Sequence, residues 1–336
     1  MQFSVDCIEL GIEESASMLD EQVEDARVWL AADIDSTECV VMLDDVARDE
    51  ILRMAQQIHD DPLPVLLREP GQFAMTALRD FLERARSLLD GRPGIAVIDR
   101  LPLDAMGEQD AVAIFWVLGK LVGRPVAQKW DGTMLYDVMD KGQDYAYGVR
   151  GSYTNVELLF HTDNAFAVAP PDTVALLCIR PAVEGGVSRF CSIYAVHNRM
   201  LAAHPRELER LYRCVLWDRQ AEHAPGAPKV TNAPVFCYHD GRLSARLNVS
   251  LTRKGYDVAG VEMDSETHDA LAALESVADH RDLWFELPIE RGQLQFLNNR
   301  RIVHYRSRFV DDEDSARKRH LVRTWYRERG LPTYDG

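Results

Sequence analysis

The chain has 336 residues, 46% of them hydrophobic and 27% charged, an ordinary balance for a globular protein long enough to bury a core without disulfide staples. Lys+Arg total 38 against 54 Asp+Glu, a net charge of −16 that repels phosphate backbones and anionic membranes, so neither nucleic acid nor a membrane surface is an expected partner. No apolar stretch reaches the ~18 residues of a membrane span, and the start, Met1-Gln2-Phe3-Ser4-Val5-Asp6, lacks the basic and apolar regions of a signal peptide. A cytoplasmic protein is expected. Six cysteines (Cys7, Cys39, Cys178, Cys191, Cys214 and Cys237) without a CxxC pair read as reduced, mostly buried thiols. Asn248-Val249-Ser250 matches a glycosylation sequon that an unsecreted chain would not use.

Residues 45–59 form a weak helix candidate, and Ala74, Leu78, Phe81, Ala85 and Leu88 recur at helical spacing. The apolar run 94–98 between Gly and Pro punctuation reads as a buried strand. Ile114, Leu118 and Leu121 mark a further helix that stops near Gly123 and Pro125. Residues 1–125 are thus expected to be mostly helical. In 128–157 the character changes: Gly132, Gly142, Gly148 and Gly151 break a stretch in which Trp130, Tyr136, Tyr145, Tyr147 and Tyr153 mingle with aspartates. This segment reads as a lid rather than a plain surface connection. From 156 onward the pattern turns to short strands, at 156–160, 173–179, 187–193, 213–217, 235–238, 284–287, 293–296, 302–305 and 321–326, with helices at 197–212 and 265–279. Many short strands separated by turn residues argue a sandwich or barrel. One domain over 1–336 is expected, of mainly β, α+β class, its β core in 156–330.

Four clusters carry chemistry. His161 and Asp163, at i and i+2 on an extended segment, point to one side, as two metal ligands from a strand end would; a surface His beside an Asp would look the same. His304 ends a later strand candidate, and two His with one carboxylate make the facial triad of non-heme Fe(II) oxygenases, which leaves coordination positions open. By alternation Arg319, Leu321, Arg323 and Trp325 share one strand face. Arginine on an inner face calls for an anion, which its planar fork suits; an exposed edge strand is the alternative. Gly185-Gly186-Val187-Ser188 offers a tight turn with a hydroxyl beside it, or an ordinary hairpin start.

Taken in order, His161-Thr162-Asp163, the 170–178 strand, the Gly185-Gly186 turn with Ser188, the run 298–309 around His304, and Arg319 to Trp325 resemble the taurine dioxygenase-like (TauD/TfdA) family of Fe(II)/2-oxoglutarate-dependent oxygenases. The resemblance is nearest to its clavaminate-synthase-like branch of amino-acid hydroxylases and covers about residues 90–330. It implies a double-stranded β-helix (jelly roll) core with an N-terminal helical region and inserted helices or a lid. It implies that His161, Asp163 and His304 ligate Fe(II), that Arg319 and Ser188 grip the far carboxylate of 2-oxoglutarate, and that Arg323 meets either cosubstrate or a substrate acid group. O2 and 2-oxoglutarate would be cosubstrates, with succinate and CO2 as products. Asp163 disfavours halogenation, since halogenases of this family lack that carboxylate.

Substrate contacts are expected among Asn155, Glu157, Asn164, Phe166, Arg246 and Arg323. A carboxylate at Glu157 favours an amine or guanidine, and Arg323 a carboxylate, which together point to an amino acid or a metabolite made from one. Hydroxylation of an unactivated C–H bond is the expected reaction. Desaturation, epoxidation or oxidative cleavage of a natural-product intermediate by the same machinery is the first alternative. A zinc hydrolase on the same three ligands, or a binding protein with a decayed site, belongs to other classes. A homodimer is the base-rate expectation.

Overall fold

The computed structural model describes residues 5–10, 17–144 and 148–336. Its first part runs through β1 (Cys7–Glu9), β2 (Val40–Met42), α1 (Asp45–Asp60), α2 (Ala77–Asp90), β3 (Ile95–Asp99) and α3 (Glu108–Val122). Asp44 caps α1 by accepting from the Ala47 N–H at 2.8 Å, and the helix buries Ala47, Ile51, Met54, Ala55 and Ile58 at helical spacing. α2 has no side-chain cap of its own. Instead the buried Glu50 carboxylate of α1 accepts from the N–H groups of Thr76, Ala77 and Leu78 at 2.9, 3.1 and 2.9 Å, so one helix supplies the anion that closes the next.

Next come β4 (Arg124–Val126), β5 (Tyr136–Val138), β6 (Leu158–His161), β7 (Thr173–Arg180), β8 (Glu184–Gly185) and β9 (Ser188–Ser192). An inserted lobe follows: α4 (Ile193–Ala203), α5 (Pro205–Leu211), β10 (Val215–Asp218), β11 (Val230–Ala233), β12 (Phe236–His239), β13 (Arg242–Ala245), α6 (Val249–Ala259) and α7 (Ser265–Ala278). The chain then returns through β14 (Trp284–Glu286), β15 (Leu294–Asn298), β16 (Ile302–Arg306), β17 (Phe309–Val310) and β18 (His320–Arg327).

Two sheets hold the site. The larger orders β2-β3-β15-β7-β18-β4, with β5 also on β18, and the smaller orders β14-β9-β16-β6. Alternation along β3 shows how they pack. Ile95 and Val97 share an apolar cluster with Phe160, Phe190 and Ile302 of the smaller sheet, while Ala96 and Ile98 join the cluster formed with α1, α2 and α3. One face of the larger sheet therefore closes the sandwich and the other carries the N-terminal helices. This is the jelly-roll arrangement with its helical flank.

The three N-terminal helices and the strand near residue 95 are where the pattern places them, but the first 125 residues are less purely helical than expected. β2 and β3 pair in parallel and join the main sheet, so the β core draws on residues well before 156. Within 128–157, Tyr145 and Tyr147 lie outside the described residues. Tyr136 is no lid residue: it sits on β5 against β18 and stacks on Tyr153 at 5.2 Å. Aromatic rings this large gain more from burial than from a mobile surface position. The expected strand 187–193 ends at Ser192, whose hydroxyl accepts from the Ala195 N–H at 3.3 Å and starts α4. The single helix expected over 197–212 is two helices, because Pro205 cannot continue the hydrogen-bond ladder. α6 escaped the pattern altogether: Gly255 at its centre weakens the helical signal, yet a Cβ there would collide with the Leu216 and Trp217 backbone. All six cysteines are free, and no helix among the described residues is long and apolar enough to cross a membrane.

His197 of α4 is fully buried, its Nε2 within 2.7 Å of the Tyr212 hydroxyl. Burial pushes its pKa down from 6.5 to about 4. Between those values the unfolded chain binds the extra proton, so this stabilisation is complete above pH 6.5 and is lost as pH falls through 4. It amounts to about 3 kcal/mol in all. Urea unfolding at pH 7.5 and pH 4.5 is expected to show a larger loss for the wild type than for His197→Gln. Equal losses would show that His197 is not the titrating group.

Candidate active site

The two histidines come together through strand pairing. His161 ends β6 and His304 lies directly opposite it on β16, which sets their ring centroids 4.2 Å apart. His161 Nδ1 is 2.7 Å from the Leu159 carbonyl oxygen, an arrangement that turns Nε2 toward the site. Asp163 follows in the turn after β6, so turn geometry rather than strand alternation aims it. Its Oδ1 is 3.6 Å from His161 Nε2 and 3.5 Å from His304 Nε2.

That turn is held from several directions. The Thr162 N–H donates to the Leu247 carbonyl at 2.7 Å, and the Asp163 N–H donates to Asn299 Oδ1 at 2.8 Å. Asn299 returns the contact by donating from Nδ2 to the Asp163 and Pro171 carbonyls, both at 3.0 Å. Asn164 adopts a left-handed φ of 57°, which Asn tolerates better than most residues. Its Oδ1 accepts from the Tyr334 hydroxyl at 3.0 Å.

The Asp163 carboxylate is split between two duties. Oδ1 faces the histidines, while Oδ2 accepts from Arg323 Nη1 and Trp325 Nε1, each at 2.8 Å. Burial alone would raise the Asp163 pKa. The Arg323 charge and the histidine hydrogen bonds outweigh it and hold the carboxyl well below the usual range. Arg323 is itself aligned by Gln128, whose Oε1 accepts from its Nε at 2.8 Å and whose Nε2 donates to its carbonyl at 2.7 Å. Burial and the neighbouring His161 push His304 toward its neutral, ligating form. Two imidazoles and one carboxylate, with donor atoms within 4.8 Å of one another, suit a divalent ion such as Fe(II).

Arg319, just before β18, is buried. Its Nη1 has no hydrogen-bond partner, and desolvation holds its pKa down to about 10. Ser188 starts β9 opposite Arg306 of β16, two residues from the Phe190–His304 pair.

A cavity of about 350 Å³ opens over His161 and Asp163. Glu157, Asn164, Phe166 and Arg323 line it, together with Arg150, Gln220 and Ser250. Two of the expected substrate residues lie elsewhere. Asn155 is exposed and gives its carbonyl to the Phe309 N–H at 3.2 Å. Arg246 points beneath the ligand turn and donates to the Ala165 and Ala167 carbonyls, a bracing position that its exposed-looking sequence context conceals. Glu157 accepts from the Tyr305 hydroxyl as it faces the cavity. Arg323, expected to meet cosubstrate or substrate, is committed through Nε to Gln128 and through Nη1 to Asp163.

Sequence reading passed over Gln128, Asn299, Trp325 and the buried Arg150–Glu222 pair at 2.7 Å. Trp325 shared the Arg319 face and Asn299 sat in the His304 run, so both had a signal available. Gln128 and Glu222 had none. The discarded sequon also matters differently: Asn248 caps α6 by accepting from the Leu251 N–H at 3.0 Å, and with Ser250 it lines the cavity.

The family described as taurine catabolism dioxygenase TauD, TfdA family matches residues 64–325. FR-33289 synthase of Streptomyces rubellomurinus is 27% identical over 314 residues, covering 92% of this chain and 91% of that protein. Taurine hydroxylase-like protein SAT17 of Stachybotrys chartarum is 24% identical over 315 residues, with coverage of 90% and 79%. Among solved structures, asparagine oxygenase in complex with Fe(II), 2S,3S-3-hydroxyasparagine and succinate matches with a TM-score of 0.65 at 20% identity, covering 88% of this chain and 94% of that one. The non-heme iron oxygenase OrfP in complex with Fe, succinate and (3S)-hydroxy-L-Arg matches at 0.65 and 17% identity, covering 88% and 98%. The structural likeness is one of fold.

Proposed function

The chain belongs to the taurine catabolism dioxygenase TauD, TfdA family, and we propose that it hydroxylates an unactivated C–H bond of an amino acid or amino-acid-derived metabolite. It is a non-heme Fe(II)/2-oxoglutarate-dependent oxygenase, and the family selects this reading of the three ligands over a zinc hydrolase. The observation that supports the substrate class is the cavity beside His161 and Asp163, which the Glu157 carboxylate lines as a partner for a substrate amine or guanidine. The hydroxylated amino acids bound in the two solved structures, 3-hydroxyasparagine and (3S)-hydroxy-L-Arg, support the same class.

His161, Asp163 and His304 would hold the iron, Asp163 through Oδ1 alone because Oδ2 is already taken. Bound iron supplies the activation of O2 that couples decarboxylation of 2-oxoglutarate, to succinate and CO2, with oxidation of the substrate. The chain's own part is positioning. Arg319 and Ser188 take the far carboxylate of 2-oxoglutarate, which would be costly to bury unpaired. Glu157 attracts a cationic substrate group, and Asn164 and Phe166 supply a polar and an apolar wall beside the metal.

The test is a screen of proteinogenic amino acids for substrate-triggered succinate under Fe(II), 2-oxoglutarate and O2. At least one amine-bearing acid is expected to accelerate turnover. Glu157→Gln is expected to raise KM for that substrate about 10-fold or more with a smaller change in kcat, since it removes a charged partner. Failure of every amino acid and simple derivative would overturn the substrate class. An unchanged KM in Glu157→Gln would overturn the role of Glu157.

A further inference from the structure

Arg306 is buried on the inner side of β16, and the expected machinery gives it no task. It lies two residues beyond His304 and so on the same strand face, directly opposite Ser188 on β9. Arg306 and Arg319 pack on the same ring: each guanidinium carbon is 4.9 Å from the Phe309 centroid. Neither forms a side-chain ion pair with a carboxylate among the described residues. Arg306 Nη2 donates to the Thr154 and Val156 carbonyls, but its Nε is buried without a partner, as is Arg319 Nη1. Gly186, at φ 66°, leaves the space beside Arg319: a Cβ there would lie 3.2 Å from Arg319 Nε.

We infer that Arg306 is a second cationic contact for the far carboxylate of 2-oxoglutarate, which lies between Arg306 and Arg319 with Ser188 beside it. This rests on the reading of Arg319 and Ser188 given above. Two buried like charges repel, and the neighbouring Asp311 carboxylate accepts at Oδ1 from the Arg319 backbone N–H at 2.8 Å and forms no ion pair with either guanidinium. Bracing two carbonyls would need only a neutral donor such as an amide. A guanidinium kept at that cost calls for an anion. The Phe309 ring holds both cations in place meanwhile.

The experiment compares two 2-oxo acids by anaerobic calorimetry on the Fe(II)-loaded protein: 2-oxoglutarate, and 2-oxobutyrate, which lacks the far carboxylate. Arg306→Gln keeps a donor for the carbonyls. It is expected to weaken 2-oxoglutarate about 10- to 100-fold, the range for a hydrogen bond to a charged group. It should leave 2-oxobutyrate within about threefold. Arg306→Lys, which retains the charge without the fork, is expected to fall between wild type and Arg306→Gln, and it carries the same comparison if Arg306→Gln does not fold. Equal weakening of both acids, or of neither, would show a brace and overturn the inference. Arg319→Gln separates the two readings. If it discriminates between the acids and Arg306→Gln does not, only the inference about Arg306 fails. If Arg319→Gln does not discriminate either, the placement of the far carboxylate fails with it.

Discussion

Replacing His304 by alanine is expected to abolish tight Fe(II) binding and substrate-triggered succinate formation together. His304 is one of three donors gathered within 4.8 Å, and no other His, Cys, Asp or Glu among the described residues joins that cluster. Loss of a group that merely supports a metal ligand costs about 10- to 100-fold in affinity or activity, so loss of a ligand should exceed about 100-fold. Stability should not follow. In the metal-free protein His304 Nδ1 is buried without a partner, and Asp163, 3.5 Å from His304 Nε2, keeps Arg323 and Trp325 as donors. Removing a buried group with an unmet hydrogen bond costs little. The expected result is therefore a folded variant, with thermal unfolding near or above the metal-free wild type. It should have no visible charge-transfer absorbance on anaerobic addition of Fe(II) and 2-oxoglutarate. A variant that kept the full absorbance would remove His304 from the ligand set.

Arg323→Leu is expected to weaken Fe(II) binding about 10- to 100-fold, the usual loss for a residue that orients a ligand. The guanidinium does two things for Asp163. It occupies Oδ2, leaving Oδ1 as the oxygen that faces the histidines, and its charge keeps the carboxyl ionised despite full burial. Without it the Asp163 pKa rises, because desolvation is then opposed only by the histidines and Trp325. Arg323→Lys is expected to recover part of the loss: an ammonium restores the charge but not the planar fork whose separate nitrogens reach Asp163 and Gln128. Fe(II) affinity and substrate KM, measured side by side, decide what Arg323 serves. A raised KM with unchanged metal affinity would assign it to the substrate instead of to Asp163.

Much of the site was legible before any coordinates because its signals are local or periodic. His161 and Asp163 are two residues apart, His304 ends an apolar run, and Arg319 with Arg323 falls on a period of two along one strand. The Gly185-Gly186 turn stands out by composition. The N-terminal helices were readable for the same reason, each carrying an apolar stripe at helical spacing. The errors fall where local preference and tertiary demand conflict. α6 hides behind Gly255, which exists to let the helix lie against the β10 backbone. Tyr136 looked like a loop aromatic because the strand that buries it is nearly two hundred residues away in the chain.

By itself, the sequence determined which candidate metal-binding side chains the chain carries, the order in which it delivers them, and the jelly-roll class that brings their strands together. What only the tertiary structure decided is how each of these side chains is oriented and which residues hold it. Arg323 reaches Asp163 across 160 residues and Gln128 reaches Arg323 across 195, while Asn299 clamps the Asp163 backbone from 136 residues away. The same holds for Arg246, drawn to the carbonyls beneath the ligand turn, and for Arg306, placed beside Arg319 by the ring of Phe309. The physical reason is that a buried polar group must find a partner wherever the fold leaves one. Backbone periodicity is set by neighbours in sequence, whereas that search is settled only by neighbours in space.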